Sequence, residues 1–252
     1  MATTNDATAP ATNWAGNHHF TNARFAEPTS LAELQRLVAG ARRVRVIGTR
    51  HSFSSCADTD GLLVSLRRMP RVLSTDGDTA TVMAGSTCAE VAAALESRGL
   101  ALPTLASLPH ISIGGAIATC THGSGDAISN FTSWLRGAEW VRPDGSLGSA
   151  EHGDDALQGA VLGAVGVLHT VTLAVERSFC VRQDVYLGLG WAALERAFDA
   201  ITSAAYSVSL FTRWDDEGVT QVRLMRLSRP AAEQLRLTLG RLHTSSGCAR
   251  CG

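Results

Sequence analysis

The chain has 252 residues, of which 45% are hydrophobic and 18% are charged. This composition is typical of a folded globular protein and excludes a disordered chain, and the length suffices for one large domain or two modest ones. The formal net charge of -1 excludes an electrostatic basis for binding nucleic acid or an acidic membrane surface. All 22 basic residues are arginine, so no lysine is available as a catalytic base.

The N-terminus and the cysteines carry no signal for export or cross-linking. Met1 to Asn13 lack a basic start and an apolar run, so we expect no signal peptide, and we expect no membrane span. Cys248 and Cys251 form a lone C-x-x-C without a second pair, so we expect neither a zinc nor a redox site there. The other cysteines have no framework spacing, which predicts free thiols in a reducing cytoplasm: Cys56, Cys88, Cys120 and Cys180.

Hydrophobic periodicity and turn residues predict a mixture of short helices and strands, and therefore an α+β fold. As far as residue 176 the pattern predicts helices at 31–40 and 90–97 and strands at 43–47, 62–66, 79–83, 138–141 and 167–175. Beyond residue 176 it predicts strands at 181–187, 207–211 and 220–224 and helices at 191–200 and 230–242.

Two glycine-rich segments are candidates for holding a phosphate group. Residues 48–53 (GTRHSF) follow directly after a predicted strand, where a glycine turn can present backbone N–H groups to phosphate oxygens. The second segment, residues 112–125, is rich in glycine and hydroxyl groups and is also predicted to be a turn. The Walker loop and the Rossmann fingerprint are both absent. From the residues alone, the two segments can clasp a diphosphate, although each by itself is more often structural.

Taken in order, several segments resemble the vanillyl-alcohol-oxidase (PCMH-type) family of FAD flavoproteins. Residues 48–53 resemble its flavin-attachment loop, and residues 102–115 (LPTLASLPHISIGG) are similar to its sugar-alcohol oxidases. Residues 13–17 (NWAGN) and 206–212 (YSVSLFT) are similar to the same subfamily. The resemblance implies a PCMH-type FAD-binding domain at 13–176, followed by an incomplete substrate-binding domain at 177–252 whose sequence after about 230 is atypical.

This resemblance also implies roles for individual residues. His51 corresponds to the histidine that bonds covalently to the 8α-methyl group of FAD, and Ser107 to a catalytic serine close to the flavin and a substrate hydroxyl. The other residues implied to bind the cofactor are Val46, Ile47, Gly48, Thr49, Arg50, Ser52, Ser112, Gly115, Thr119, Cys120, Thr121, His122 and Leu168.

Neighbouring histidines and one thiol carry weaker expectations. We expect His110 to be a structural partner under a loop and Cys120 to be a buried thiol. His18 and His19 are expected at the surface, and we expect no metal at either.

The family implies oxidation of an alditol such as xylitol or sorbitol, with O₂ as acceptor and H₂O₂ as product. Three alternatives remain open: an aldonolactone oxidase (of the D-arabinono-1,4-lactone or gulonolactone type), a non-catalytic FAD-binding remnant, and a phosphate-binding module without flavin. In the family, a C-terminal domain supplies the substrate-facing Glu, Arg and Lys groups. We expect that part to be missing here, which places catalytic turnover in doubt more than FAD binding.

Overall fold

The computed structural model describes residues 9–21, 24–161, 163–228 and 249–250. Within these ranges the chain forms six α-helices and four β-sheets, so the predicted α+β class is confirmed. No helix in the described ranges is long and apolar enough to cross a membrane. The helix predicted at 230–242, together with Cys248 and Cys251, lies outside the described residues.

The elements follow in chain order. The helices are α1 (Leu31–Ala39), α2 (Cys88–Glu96), α3 (Ile113–Ala118), α4 (Asp155–Val161), α5 (Trp191–Arg196) and α6 (Phe198–Thr202). The strands are β1 (Arg24–Ala26), β2 (Val44–Ile47), β3 (Leu62–Ser65), β4 (Leu73–Asp76), β5 (Thr79–Met83), β6 (Leu100–Ala101), β7 (Leu135–Val141), β8 (Leu147–Glu151), β9 (Val167–Ala174), β10 (Glu176–Arg177), β11 (Cys180–Leu189), β12 (Ser207–Thr212), β13 (Val219–Ser228) and β14 (Ala249–Arg250).

Two sheets of different type share the main hydrophobic core. The first is parallel, in the order β1-β3-β2, and its central strand β3 is buried along its whole length, as expected for a strand covered on both faces. The second is antiparallel, in the order β4-β5-β9-β7-β8. Side chains from β3, β5, β7 and β9 meet in one cluster with those of α1, α2 and α3. This shared core fixes the parallel sheet against the antiparallel one.

A smaller, separate core follows residue 180. Here β12, β13, β11 and β14 form an antiparallel sheet in that order, and the apolar residues Leu194, Val219, Val222 and Leu224 pack together beneath it. The hydroxyl of Ser124 lies 2.5 Å from that of Ser207 and thereby joins this sheet to the first part of the chain. Nothing in these contacts fixes the domain boundary, so the division at residue 176 stays a prediction.

Helix capping explains the positions of the two longest helices. Ser30 accepts a hydrogen bond from Glu33 N and Gly40 ends α1, so the helix predicted at 31–40 is confirmed. The helix predicted at 90–97 begins two residues earlier, because Thr87 and Glu90 form a capping box at the start of α2.

The continuous helix predicted at 191–200 is wrong. The chain instead forms α5 and α6, which are separated at Ala197. The backbone there takes φ −130° and ψ 24°, and the Ala197 N–H bonds to Leu194 O three residues back. This tight closure interrupts the regular series of i to i−4 hydrogen bonds. The break lets Ile201 of α6 pack against the smaller core.

Truncating a core leucine should destabilise the protein far more than truncating an exposed one in the same sheet. Leu173 on β9 is 1% exposed, whereas Leu147 on β8 is 41% exposed. We expect Leu173→Ala to lower the free energy of unfolding by about 2–5 kcal/mol because it leaves a cavity. For Leu147→Ala we expect a loss of at most about 1 kcal/mol. Urea denaturation measures both, and equal losses would contradict the core described here.

Candidate functional site

Residues 48–52 form a loop at the carboxyl end of β2, where the chain leaves the parallel sheet. Ile47 is buried at the end of that strand, and Gly48 then passes close to the start of α3. A Cβ atom on Gly48 would lie 2.4 Å from Ser112 Oγ and 3.9 Å from Gly115 Cα. A side chain at this position would require the Ser112 hydroxyl to move, so glycine favours the close approach of the 48–52 loop to α3.

Helix α3 is held in place by the end of β5. Ile113 N donates to Ser86 O and Gly114 N donates to Ala84 O, each at 2.8 Å. A Cβ on Gly114 would lie 3.0 Å from both the Cβ and the carbonyl oxygen of Ala84, so a side chain there would push the helix away. The turn predicted for this part of the second glycine-rich segment is wrong. Residues 113–118 are helical, and their glycines serve close packing.

A cleft of about 810 Å³ lies between the 48–52 loop and α3, within the range that proteins use for cofactors. The structure brings most of the predicted cofactor-binding residues to its walls: Val46, Ile47, Gly48, Thr49, Arg50, His51, Ser52, Ser112, Gly115, Thr119, Thr121 and Leu168. Their common location supports the predicted site, and their individual roles stay predictions.

Three predicted residues do not line this cleft. Ser107 is exposed in the segment between β6 and α3, and His122 Nδ1 lies 2.9 Å from Gly123 O. Cys120 takes a positive φ of 49° directly after α3 and is half-buried, so the expectation of a buried thiol is wrong.

Another part of the cleft lining is shaped by a second glycine contact. Gly166 takes a φ of +145°, and a Cβ atom there would lie 2.2 Å from Val141 O. Only glycine combines this backbone angle with so close a contact. Val141, Val167 and Leu168 form an apolar wall beside it, which suits a flat ring system.

Four arginines in the cleft were not predicted from the sequence: Arg42, Arg45, Arg67 and Arg71. Arg67 forms a bidentate pair with Glu27 at 2.9 Å, and Arg71 bonds Glu90. Among the described residues, Arg42 and Arg45 form no ion pair, and Arg42 acts on Asp60 only at longer range, so both can contact an anionic ligand. The alternation of arginine and apolar residues along β2 could have indicated these cleft arginines, but it was used only to predict a strand.

His51 lies at the edge of the cleft between two aromatic rings. Trp14 stacks against its imidazole with centroids 4.9 Å apart, and His110 Nε2 lies 2.6 Å from His51 Nε2. Burial, followed by the charges of His110 and Arg50, lowers the pKa of His51 below its usual 6.5. The imidazole is therefore neutral near pH 7 and keeps a lone pair on one nitrogen.

Sequence reasoning missed two parts of this arrangement. The expectation that His110 sits under a loop is wrong, because His110 is exposed and contacts His51 directly. Trp14 belonged to a segment with a resemblance but had no assigned role. The contacts of both residues with His51 bridge distant parts of the chain, which local periodicity does not reveal.

A family model described as "FAD binding domain" matches residues 23–150. The chain belongs to this FAD-binding family. The alditol oxidase of a Streptomyces species is 40% identical over 222 residues, which cover 85% of this chain and 53% of that protein. The L-gulono-1,4-lactone dehydrogenase of Mycobacterium tuberculosis is 36% identical over 178 residues, 68% of this chain and 42% of that protein. The chain thus spans about half the length of these curated relatives.

The fold is also that of solved cholesterol oxidase structures. The crystal structure of cholesterol oxidase from B. sterolicum superimposes with a TM-score of 0.73 at 17% identity, covering 86% of this chain and 47% of that one. At this identity the likeness shows the fold alone. The PCMH-type fold implied by the sequence is confirmed by the family match and this likeness.

The residues of the cleft fit FAD, the cofactor of the FAD-binding family. Gly48 and Gly115 leave room between the 48–52 loop and α3, and the arginines supply positive charge for a diphosphate. Val167 and Leu168 offer apolar surface to a ring. When bound, FAD would supply a two-electron acceptor, and these residues would hold it in the cleft.

Filling the space at Gly48 should block FAD binding. Because a side chain there overlaps Ser112, we expect Gly48→Val to weaken FAD binding by at least about tenfold, the equivalent of 1.4 kcal/mol. Gly190→Val is the matched control, since nothing lies within 4 Å of its added Cβ. Both are made in a His51→Ala background and titrated with FAD by fluorescence quenching. Equal affinity in the two variants would show that the cleft is not the FAD site.

Proposed function

We propose that this chain holds FAD covalently through His51 and forms the flavin-binding part of an oxidase acting on the CH–OH group of an alditol. The observation that carries the proposal is the neutral imidazole of His51, placed at the cleft edge between Trp14 and His110. FAD supplies a hydride acceptor, and O₂ takes the electrons to give H₂O₂. Hydride transfer needs the substrate held beside the cofactor, which is the task of the protein.

The environment of His51 suits bond formation to the 8α-methyl carbon. Its lowered pKa keeps the imidazole neutral and hence nucleophilic. Forming the N–C bond removes one proton from the imidazole and one from the methyl group. The two electrons released would be taken up by the bound FAD and, on its reoxidation, by O₂. Because His51 Nε2 faces His110, its partner can receive the departing proton, while Nδ1 has no hydrogen-bond partner among the described residues.

Flavin should remain with the polypeptide after acid denaturation, and His51→Ala should abolish this. Covalent FAD survives unfolding, whereas cofactor held only by the cleft is released. We expect the parent precipitate to be yellow and the His51→Ala precipitate to be colourless, with the flavin of the variant recovered in the supernatant. Absorbance near the flavin maximum measures both fractions.

His152→Ala is the control, because His152 is an exposed histidine far along the chain from the 48–52 loop. It should retain covalent flavin like the parent. A parent whose flavin is entirely released by acid would contradict the covalent bond while leaving FAD binding intact. A parent without any flavin would favour the alternative of a phosphate-binding module.

Alditol oxidation is supported by the 40% identity with an alditol oxidase, and the resemblance assigns a role to Ser107, which does not line the cleft. Ser107 lies in the same segment as His110, three residues before it, and its side chain is exposed to solvent and thus to an incoming substrate. A serine hydroxyl can both donate and accept a hydrogen bond, which suits a polyol. We assign it the contact with the substrate hydroxyl next to the oxidised carbon.

A lactone substrate is the second candidate, favoured by the 36% identity with a lactone dehydrogenase. Both candidates share the flavin site and differ in the residues that hold the substrate. Because that relative is named a dehydrogenase, this alternative includes an electron acceptor other than O₂. A third outcome, FAD binding without turnover, corresponds to the non-catalytic alternative.

Peroxide release distinguishes these candidates. We expect the FAD-loaded protein to produce H₂O₂ with xylitol or sorbitol at least about tenfold faster than with L-gulono-1,4-lactone, since a missing substrate hydrogen bond costs a factor of this order. Ser107→Ala should reduce kcat/KM for the alditol by about ten- to a hundredfold. Ser149→Ala, an exposed serine on β8, should match the parent. Faster oxidation of the lactone than of the alditols would favour the lactone candidate. Absence of peroxide with both kinds of substrate would favour the non-catalytic FAD-binding remnant.

We further propose a reducing compartment, the cytoplasm, for this protein. Cys56, Cys88 and Cys120 are free thiols, which is typical of proteins kept reduced. Burial raises the pKa of Cys88 to about 11, so that thiol is unreactive. Fractionation of source cells tests the location, and recovery of the protein outside the cytoplasm would contradict it.

A further inference from the structure

Residues 12–21, here called the N-terminal segment, contact the loop that carries His51 although they precede the region matched by the family model. Trp14 N donates to Arg50 O at 2.9 Å, and Arg50 Nη1 donates back to Thr12 O at 2.9 Å. Asn17 Nδ2 donates to Phe53 O at 3.1 Å. The N-terminal segment is thus bonded to the 48–52 loop on both sides of His51.

Asn13 is the centre of these contacts. It is 3% exposed, and its amide donates to Ser52 O at 2.9 Å and to Asn17 Oδ1 at 2.7 Å. Its own oxygen accepts from His18 N at 3.2 Å. A buried amide with all of these bonds made holds its partners firmly, whereas loss of a partner leaves a polar group without compensation.

The backbone beside His51 is strained and needs such support. Arg50 takes a φ of +69°, an uncommon value for a residue with a side chain. Backbone strain of this kind persists when the surrounding structure over-determines it. Both the carbonyl and the guanidinium of Arg50 are engaged by the N-terminal segment, which therefore stabilises the conformation that presents His51.

Trp14 adds a direct contact to this support. Its indole stacks on the imidazole of His51 with an interplanar angle of 29°, yet the side chain is itself 63% exposed. A tryptophan this exposed contributes little to the core. Its stacking on one face of the imidazole therefore limits rotation of the His51 ring.

The other end of the N-terminal segment is fixed at Asp58. Thr21 donates to both oxygens of this carboxylate, at 2.8 and 3.1 Å, and His18 Nε2 lies 3.2 Å away at an angle unsuited to a hydrogen bond. Burial raises the pKa of Asp58, but the hydrogen bonds from Thr21 and Thr59 outweigh it and hold the pKa below its usual value. His18, expected at the surface, is half-buried by this contact.

We propose that residues 12–17 act as a clamp that fixes the imidazole of His51 for attachment to FAD, with Asn13 as its positioning residue. This inference rests on the proposed covalent bond. The clamp acts on the ring before the cofactor arrives, so its effect is measurable on flavin-free protein as well as in the attachment reaction.

The test compares Asn13→Asp, Trp14→Ala and Trp14→Phe with a control, His19→Ala. Asn13→Asp keeps the shape of the side chain but replaces the donating amide with an oxygen that faces Ser52 O. His19 is exposed in the same segment, and the hydrogen-bond contacts described above do not involve its side chain. Trp14→Phe keeps an aromatic ring for stacking. Thermal melting of each variant confirms folding, and the exposed Trp14 provides a substitution that folding tolerates if Asn13→Asp does not fold.

The first measurement is the rate at which diethyl pyrocarbonate modifies His51 in flavin-free protein at pH 8, followed by mass spectrometry. We expect Asn13→Asp and Trp14→Ala to react about five- to tenfold faster, because loss of a buried hydrogen bond or stacked ring frees the imidazole. Trp14→Phe and His19→Ala should react like the parent. Unchanged His51 reactivity in Trp14→Ala and in any folded Asn13→Asp protein overturns the clamp.

The second measurement is the rate of acid-stable flavin incorporation after FAD is added. We expect this incorporation rate to fall about five- to tenfold in Asn13→Asp and Trp14→Ala. The affinity of both variants for noncovalently bound FAD should stay within about twofold of that of the parent. Equal incorporation rates in Asn13→Asp and the parent overturn the clamp as a device for attachment. If the parent itself attaches no FAD, the covalent proposal fails, and the His51 modification rates still decide whether the clamp exists.

Discussion

The close approach of Gly48 to the start of α3 shapes the cleft that we propose as the cofactor site. The 48–52 loop is positioned by the parallel pair β2 and β3, and α3 by hydrogen bonds to the end of β5. These supports belong to different sheets, so their separation depends on the shared core between the sheets. A larger side chain at Gly48 changes the distance between them directly, and a void in the core changes it indirectly.

The lining of the cleft combines two kinds of surface. It offers glycines, hydroxyl groups and arginines, which suit a diphosphate, together with Gly166 and apolar residues. His51 stands at the edge, where partial burial and a neighbouring imidazole alter its protonation. Under the proposed covalent attachment, FAD binding and bond formation would depend on different residues. The bond to His51 could then be lost without loss of the cleft.

The sequence was most informative where structure is local. The Ser30 and Gly40 caps placed α1 correctly, and the β-branched run placed β9, because capping and alternation act within a few residues. Helix α3 was missed since Gly114 and Gly115 disfavour a helix, and tertiary bonds to Ser86 and Ala84 override that preference. The break at Ala197 likewise depends on how Ile201 reaches the smaller core.

The site itself was predictable in part. The cofactor-binding residues came from a resemblance, and most of them line one cleft. The sequence did not predict the four arginines, the role of Trp14 or the contact between His51 and His110. Each of these depends on contacts between segments that are distant along the chain. No periodicity of 2 or 3.6 residues carries that information.

The distance along the chain between the clamp and its loop has a consequence for synthesis on the ribosome. Arg50 follows Thr12 by 38 residues, and Thr172 on β9 follows its partner Thr81 on β5 by 91. The N-terminal segment is therefore translated before the 48–52 loop that it contacts. The part of the cleft lining around Gly166 is translated later still. At about 5–20 residues per second, several seconds separate these events. Cofactor capture thus comes after most of the domain has been translated, and the N-terminal segment spends that interval without its partners.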